Sequence, residues 1–370
     1  MSLPLPSLDH VARLTDDVGI AEHALGPVPR RTHGYCTDDN GRGLAVASRD
    51  RHDPRAPALA ETYLAFLAHA HQSDGVFRLR LAFDRRWTDD PVSDDANGRA
   101  IFGLGVAVAE GPEHLRQTAH DLFRSAAAFR SGFPRATAHA VIGAAEVLSA
   151  IPDDQSAIAL MRDAATTLPR IGEDVGWRWP ESRLAYANAL LPEALIAIGA
   201  ALNDQATLND GLRLLEWLVA EELHDGRFSF APTGGRGPQD ARKGFDQQPI
   251  EAASFVEASA RAFAVTDDSG WLGHLERAVA WFLGENDAGV PLIDPLTGGC
   301  YDGLERSGVN GNEGGESTLM LVTALQHAER LLRPEMTDPA EAWRQRTAAS
   351  AARSRRSEIT AAPTLRSAAP

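Results

Sequence analysis

Thr37-Asp38-Asp39-Asn40-Gly41-Arg42 returns about one unit later as Ser93-Asp94-Asp95-Ala96-Asn97-Gly98-Arg99, and reading the two copies together decides the fold. Each has a hydroxyl residue, two aspartates, an Asn, a Gly and an Arg. Each then runs into a small-residue apolar stretch, residues 43–47 in the first case and 100–108 in the second. A phrase repeated at the head of two helical segments marks a repeated helical unit whose helix starts face one place. Four further stretches rich in Ala, Gly and Ser begin near Arg135, Tyr186, Gln247 and Asn312. Helices with so few large or charged side chains are packed on several sides, where backbones approach closely.

Amphipathic segments alternate with the crowded ones, over residues 58–71, 113–130, 156–168, 206–222 and 271–283. In the fourth, Leu208, Leu212, Leu215, Leu218 and Val219 recur at helical spacing while Arg213, Glu216 and Glu222 fall elsewhere, the pattern of a half-exposed helix. Ser73-Asp74-Gly75-Val76-Phe77, Asp174-Val175-Gly176-Trp177-Arg178-Trp179 and Asp225-Gly226-Arg227-Phe228-Ser229-Phe230 each read as an Asp-Gly turn followed by a short aromatic strand. The repeating unit is therefore exposed helix, aromatic turn, polar loop, crowded helix. Neither end shows a capping repeat, and a closed ring needs none. The expectation is an all-α (α/α)6 toroid with short β-hairpins in its loops. It would form one domain over residues 1–335, followed by a disordered tail over 336–370 rich in Ala, Ser, Arg and Pro.

Bulk properties narrow the function. The formal net charge of −15 over 370 residues disfavours nucleic acid or an anionic membrane as partner. No run approaches the roughly 18 apolar residues of a membrane span. The first residues lack the basic and apolar regions of a signal peptide, so a cytoplasmic location is expected. Two cysteines, Cys36 and Cys300, make no disulfide framework. In a closed ring the first and sixth units are neighbours, which would bring these thiols near each other. Scattered histidines, with no His-x-x-x-His or Cys-x-x-Cys, point to neither a metal nor a cofactor.

Candidate site residues gather at the crowded-helix starts. They are Tyr35, Asp38, Asp39, Asn40, Arg42, Asp94, Asp95, Asn97 and Arg99 in the first two units. Later units add Trp177, Trp179, Glu181, Tyr186, Asn188, Asp246, Gln247, Gln248, Asp302, Asn312, Glu313 and Glu316. Aromatic faces cover the C–H side of a pyranose while amides and carboxylates take its hydroxyls, so the mixture suits an oligosaccharide. An Asp at a helix start is also a common N-cap, but a cap needs one side chain and these phrases carry two. The Gly-rich residues 233–237, which lack the Lys-Ser/Thr ending of a P-loop, read as a mobile lid beside Asp246.

His33-Gly34-Tyr35-Cys36-Thr37-Asp38-Asp39-Asn40, Trp179-Pro180-Glu181 with Tyr186-Ala187-Asn188-Ala189, and Asn310-Gly311-Asn312-Glu313-Gly314-Gly315-Glu316-Ser317-Thr318 resemble bacterial proteins of the six-hairpin, (α/α)6-barrel glycosidase superfamily. The resemblance covers residues 31–325 and implies the toroid and a carbohydrate-active enzyme. Such toroids carry hydrolases, phosphorylases, lyases and epimerases, so it does not choose a reaction. Cleavage of a glycosidic bond is expected, with Glu181 as general acid beside two tryptophans and Asp39 or Asp246 as base. The superfamily favours inversion, for which the two carboxyls stand about 6.5–9.5 Å apart. A non-catalytic carbohydrate-binding protein and a sugar epimerase or isomerase are the alternatives.

Overall fold

The computed structural model describes residues 3–88, 93–241 and 243–333; the tail expected over 336–370 lies outside them. Among the described residues the crowded stretches form the helices α2 (Thr37–Arg49), α4 (Asp94–Glu110), α6 (Pro134–Ala150), α8 (Leu190–Leu202), α10 (Pro249–Thr266) and α12 (Gly315–Leu332). Each packs on the next, and α12 packs back on α2, so the six close into a ring. The amphipathic stretches form α3 (Ala56–Ala70), α5 (Glu113–Ala126), α7 (Gln155–Thr167), α9 (Gln205–Glu222) and α11 (Gly270–Phe282) on the outside of it. The sixth outer helix is α1 (Asp9–Leu14), a single short segment at the other end of the chain that packs on α12. Sequence reading found five outer helices and no sixth, because six residues carry too little periodicity to register.

Glycine explains how closely the inner helices approach. A Cβ on Gly105 of α4 would lie 2.1 Å from the Gly143 carbonyl oxygen of α6, and one on Gly103 would lie 2.2 Å from that of Gly41 in α2. The core lies between the two rings, where Leu44, Leu67, Leu104, Phe123, Leu195 and Phe255 are fully buried. Deeper along the inner helices, charged side chains lock the ring together. Arg49 reaches Glu257 at 3.0 Å and Glu110 at 3.5 Å; Arg330 also binds Glu110, and Arg261 holds Glu146 and Glu193. Every inner helix contributes to this partly buried belt, which ties the ring together.

Short strand pairs sit in the loops before the inner helices: the hairpins β1 (Ala24–Leu25) with β2 (Val28–Pro29), β5 (Leu223–His224) with β6 (Arg227–Phe228), and β7 (Gly303–Glu305) with β8 (Gly308–Asn310), and the long-range pair β3 (Tyr35–Cys36) with β4 (Arg80–Leu81), which joins the loops before α2 and α4. The Asp225-Gly226 turn joins β5 to β6, as its sequence predicts, with both residues at positive φ. Around Trp177 and Trp179 no strand forms. Both indoles instead turn onto Trp217 of α9, with ring centroids at 5.2 and 6.3 Å.

Candidate active site

The two acidic phrases open adjacent inner helices. Neither Asp38 nor Asp39 caps α2, whose N-cap is Cys36 and carries no side-chain cap bond. Both aspartates bind Arg42 instead, Asp39 at 2.6 Å and Asp38 at 3.4 Å, and the other Nη of Arg42 donates to Glu316 of α12. In the second copy Arg99 Nε donates to Asp95 at 3.0 Å. Asp94 turns aside and accepts from Ser131. Here the Ser93 hydroxyl caps the helix, so both aspartates are released from that role.

Tyr186 joins these units to the next two. Its hydroxyl donates to Asp95 at 2.8 Å, its ring lies 5.3 Å from the Arg135 guanidinium, and its carbonyl accepts from Arg135 Nε. Three carboxylates, Asp38, Asp95 and Glu316, face the mouth with side chains 26, 31 and 38 % exposed, whereas Asp39 lies beneath them. Below them is a well lined by Arg42, Arg99, Phe102, His139, Ile142, Ala187, Leu190, Glu193, Ile250, Ser254, Glu257 and Met320. Arg42, Arg99 and His139 stand five residues into α2, α4 and α6, at one level of the ring.

Burial, reinforced by neighbouring Asp38, pushes the Asp39 carboxyl up to about 7 despite Arg42. Burial also works to raise Asp38, but Arg42 and Arg99 outweigh it and hold that carboxyl low. The same contest at Asp95 is won by Arg99, with help from His139 and the Tyr186 hydroxyl, so Asp95 lies well below the usual carboxylate range. Burial and then Arg99 push His139 down to about 3, which leaves a neutral imidazole at neutral pH.

Several expected residues are occupied elsewhere. Glu181 accepts both ends of the Arg135 fork at 2.8 Å and the Trp179 indole at 3.1 Å, while Trp177 donates to its carbonyl. The Arg135 fork and the Trp179 indole thus fix the Glu181 side chain in place. Asn40 and Asn97 are buried in one repeated arrangement. Each donates to the carbonyl four residues back and accepts from a backbone N–H twenty residues back, Ile20 and Phe77 respectively. Asn188 lies between Glu251, Arg135 and the Ala185 N–H. Gln247 binds Phe230 N–H, Trp281, Gly244 and Asp287. These amides staple the loops to the helices, and their polar atoms do not face the well.

Tyr35 donates to Asp16 in a separate recess with Arg13, Arg31 and Phe83. Asp302 accepts from Gly314 N–H, Asn312 from Gly26 N–H, and buried Glu313 holds Thr297 beside His10. Asp246 is exposed on the rim and Gln248 half-buried before α10. The expected lid is pinned rather than free: Arg236 exchanges two backbone hydrogen bonds with Leu184, and its buried guanidinium pairs with Glu222. Both thiols are buried and unbridged, with Cys36 donating to Asp39. Ligand atoms of Cys36, Asp38 and Asp39 lie within 4.8 Å of one another, but the Cys36–Asp39 hydrogen bond and Arg42 already occupy that group. Sequence reading passed over Arg135 and His139. Measuring five residues into each crowded helix, as for Arg42 and Arg99, would have found His139.

No family model matches the chain, and no curated protein does. Solved structures do. A sugar epimerase from a ruminal bacterium superposes with TM-score 0.67 at 13 % identity, over 90 % of this chain and 96 % of its own. The cellobiose 2-epimerase of Bacillus thermoamylovorans gives 0.67 at 13 %, over 88 and 96 %. The GH76 alpha-mannanase of Bacteroides thetaiotaomicron gives 0.61 at 11 %, over 87 and 95 %. The fold is the (α/α)6 barrel that these structures share. That barrel places all six inner-helix starts around one mouth, where the two acidic phrases meet.

Proposed function

We propose that this protein is a carbohydrate-active enzyme that cleaves a glycosidic bond at the mouth ringed by Asp38, Asp95, Glu316 and Tyr186. The observation that carries this reading is the split between the carboxyls around Arg42 and Arg99. Asp38 and Asp39, adjacent on one arginine, share the site as a dyad whose buried member is held up near 7, while Asp95 is held ionised. Environments that push neighbouring carboxyls apart separate the acid role from the base role. In this reading Asp39, the carboxyl that keeps its proton, protonates the leaving glycosidic oxygen, and ionised Asp38 helps Arg42 hold the sugar. Asp95, oriented by Tyr186 and Arg99, activates the water. Sugar-processing enzymes among the solved neighbours support a glycan substrate.

Epimerisation is the second reading, favoured by the two epimerases of similar fold. It calls for a proton shuttle near the working pH, and the histidine lining the well, His139, is pushed far below it. A screen of manno-, gluco- and arabino-oligosaccharides, with and without phosphate, run in heavy water, separates the reactions. Cleavage products without carbon-bound deuterium are expected. Deuterium on a sugar carbon with the chain length intact would establish epimerisation, and binding without any product would establish a non-catalytic protein.

A further inference from the structure

Three polar groups at one level of the well, two guanidinium donors and one imidazole nitrogen, carry no hydrogen-bond partner in the protein. Arg42 Nε and His139 Nε2 are buried and unpartnered. Arg99, 3 % exposed, spends only its Nε on Asp95, which leaves its terminal N–H groups turned on the well it lines. Buried polar groups are ordinarily matched, so a ligand with an acceptor for the guanidiniums and a donor for the imidazole belongs here. Its charge is decided by the surroundings. Asp38, Asp39, Asp95 and Glu316 crowd the two guanidiniums, and Glu193 and Glu257 reach the floor from the ionic belt. A carboxylate or phosphate would enter a site already oversupplied with negative charge, so the acceptor is neutral.

The walls decide what accompanies it. Phe102, Ile142, Ala187, Leu190, Ile250 and Met320 surround the same groups with apolar surface, which matches no sugar hydroxyl. We infer that this well takes the acylamino group of an N-acetylated sugar. The amide carbonyl accepts from Arg42 and Arg99, the amide N–H donates to the free nitrogen of neutral His139, and the methyl group packs among Phe102, Ile142 and Met320. One polar acceptor, one donor and one apolar tip match the three features of the well. This inference rests on the proposal that the mouth above binds a sugar.

Calorimetric titration with three matched pairs tests it: N-acetylglucosamine against glucose, N-acetylgalactosamine against galactose, and N-acetylmannosamine against mannose, with glucuronate as the anionic control. At least one N-acetyl sugar should bind about tenfold more tightly than its parent, the discrimination a polar group and a methyl together provide. Met320→Phe, which fills the well, should erase that preference while leaving parent hexose binding within about threefold. Parent hexoses binding as tightly as their N-acetyl partners, or glucuronate binding best, would overturn the acylamino assignment and leave the glycan reading standing. A folded Met320→Phe that keeps the preference would overturn it too. If Met320→Phe does not fold, the wild-type pairs decide alone. Failure of every sugar to bind would overturn both.

Discussion

At the scale of single residues, Arg42 and Asp39 separate a structural arginine from a chemical carboxyl. Arg42 is buried against three carboxylates on two inner helices, and losing it would strand their charges. Arg42→Ala is expected to cost about 3 kcal/mol or more of stability in urea unfolding, the usual consequence of breaking a buried ionic cluster. Asp39→Asn keeps the shape and gives up the titration. It should hold its fold and lose turnover. Should Asp39→Asn unfold while Arg42→Ala folds and works normally, the acidic phrase is scaffolding alone. Sequence could show that Asp39 and Arg42 belong together, because three residues along a helix bring them to one face. It could not show that Glu316, far along the chain, completes the cluster.

Among the elements, the inner helices depend on small residues and the outer ones on ordinary amphipathic packing. Gly105→Ala forces its methyl into the Gly143 backbone and should destabilise by about 1–3 kcal/mol. Gly132→Ala, with open space around it, should change stability little. At the end of α9, burial pushes Glu222 up to about 8 against the pull of Arg236. Its folded value exceeds its ordinary one of 4.5, so the folded chain holds a proton that the unfolded chain has lost. The stability from this group is complete below 4.5 and drains away as pH rises towards 8, at up to about 1.4 kcal/mol per pH unit. Glu222→Gln should flatten that slope in denaturation curves and exceed wild type in stability at about pH 9. An unchanged slope would place the proton elsewhere. The elements were legible where pattern is long. The outer helices α3, α7, α9 and α11 lie within two residues of their sequence ranges, and α5 stops at Ala126 short of Arg130. Of the inner ones, α2 and α4 begin six residues before the stretches 43–47 and 100–108, so the acidic phrases form their first turns, and α8 begins at Leu190, four residues after Tyr186. The Trp177–Trp179 strand failed because alternation alone could not reveal Trp217 on a neighbouring helix.

For the molecule as a whole, the two ends of the described chain close the ring. Leu8, Val11 and Leu14 are buried, and His10 binds the Glu313 carbonyl before α12. Deleting residues 1–14 should lower Tm by far more than an exposed-terminus truncation and open the sixth hairpin to proteolysis. A truncated protein as stable as the full chain would mean that five hairpins and a bare α12 suffice. Repetition made the toroid readable, since equivalent phrases occupy equivalent places. The site was only half readable, because the repeat carries scaffold and chemistry in the same words: Asn40 and Asn97 staple backbone while Asp38 and Asp95 face the mouth. The direct measurement is turnover of Asp95→Asn beside wild type on the oligosaccharide panel, with Tm recorded for both. Wild type should release shorter sugars, and Asp95→Asn should retain its Tm within a few degrees while losing at least about a hundredfold in rate, the share of a general base. A folded Asp95→Asn that cleaves at the wild-type rate would contradict the account.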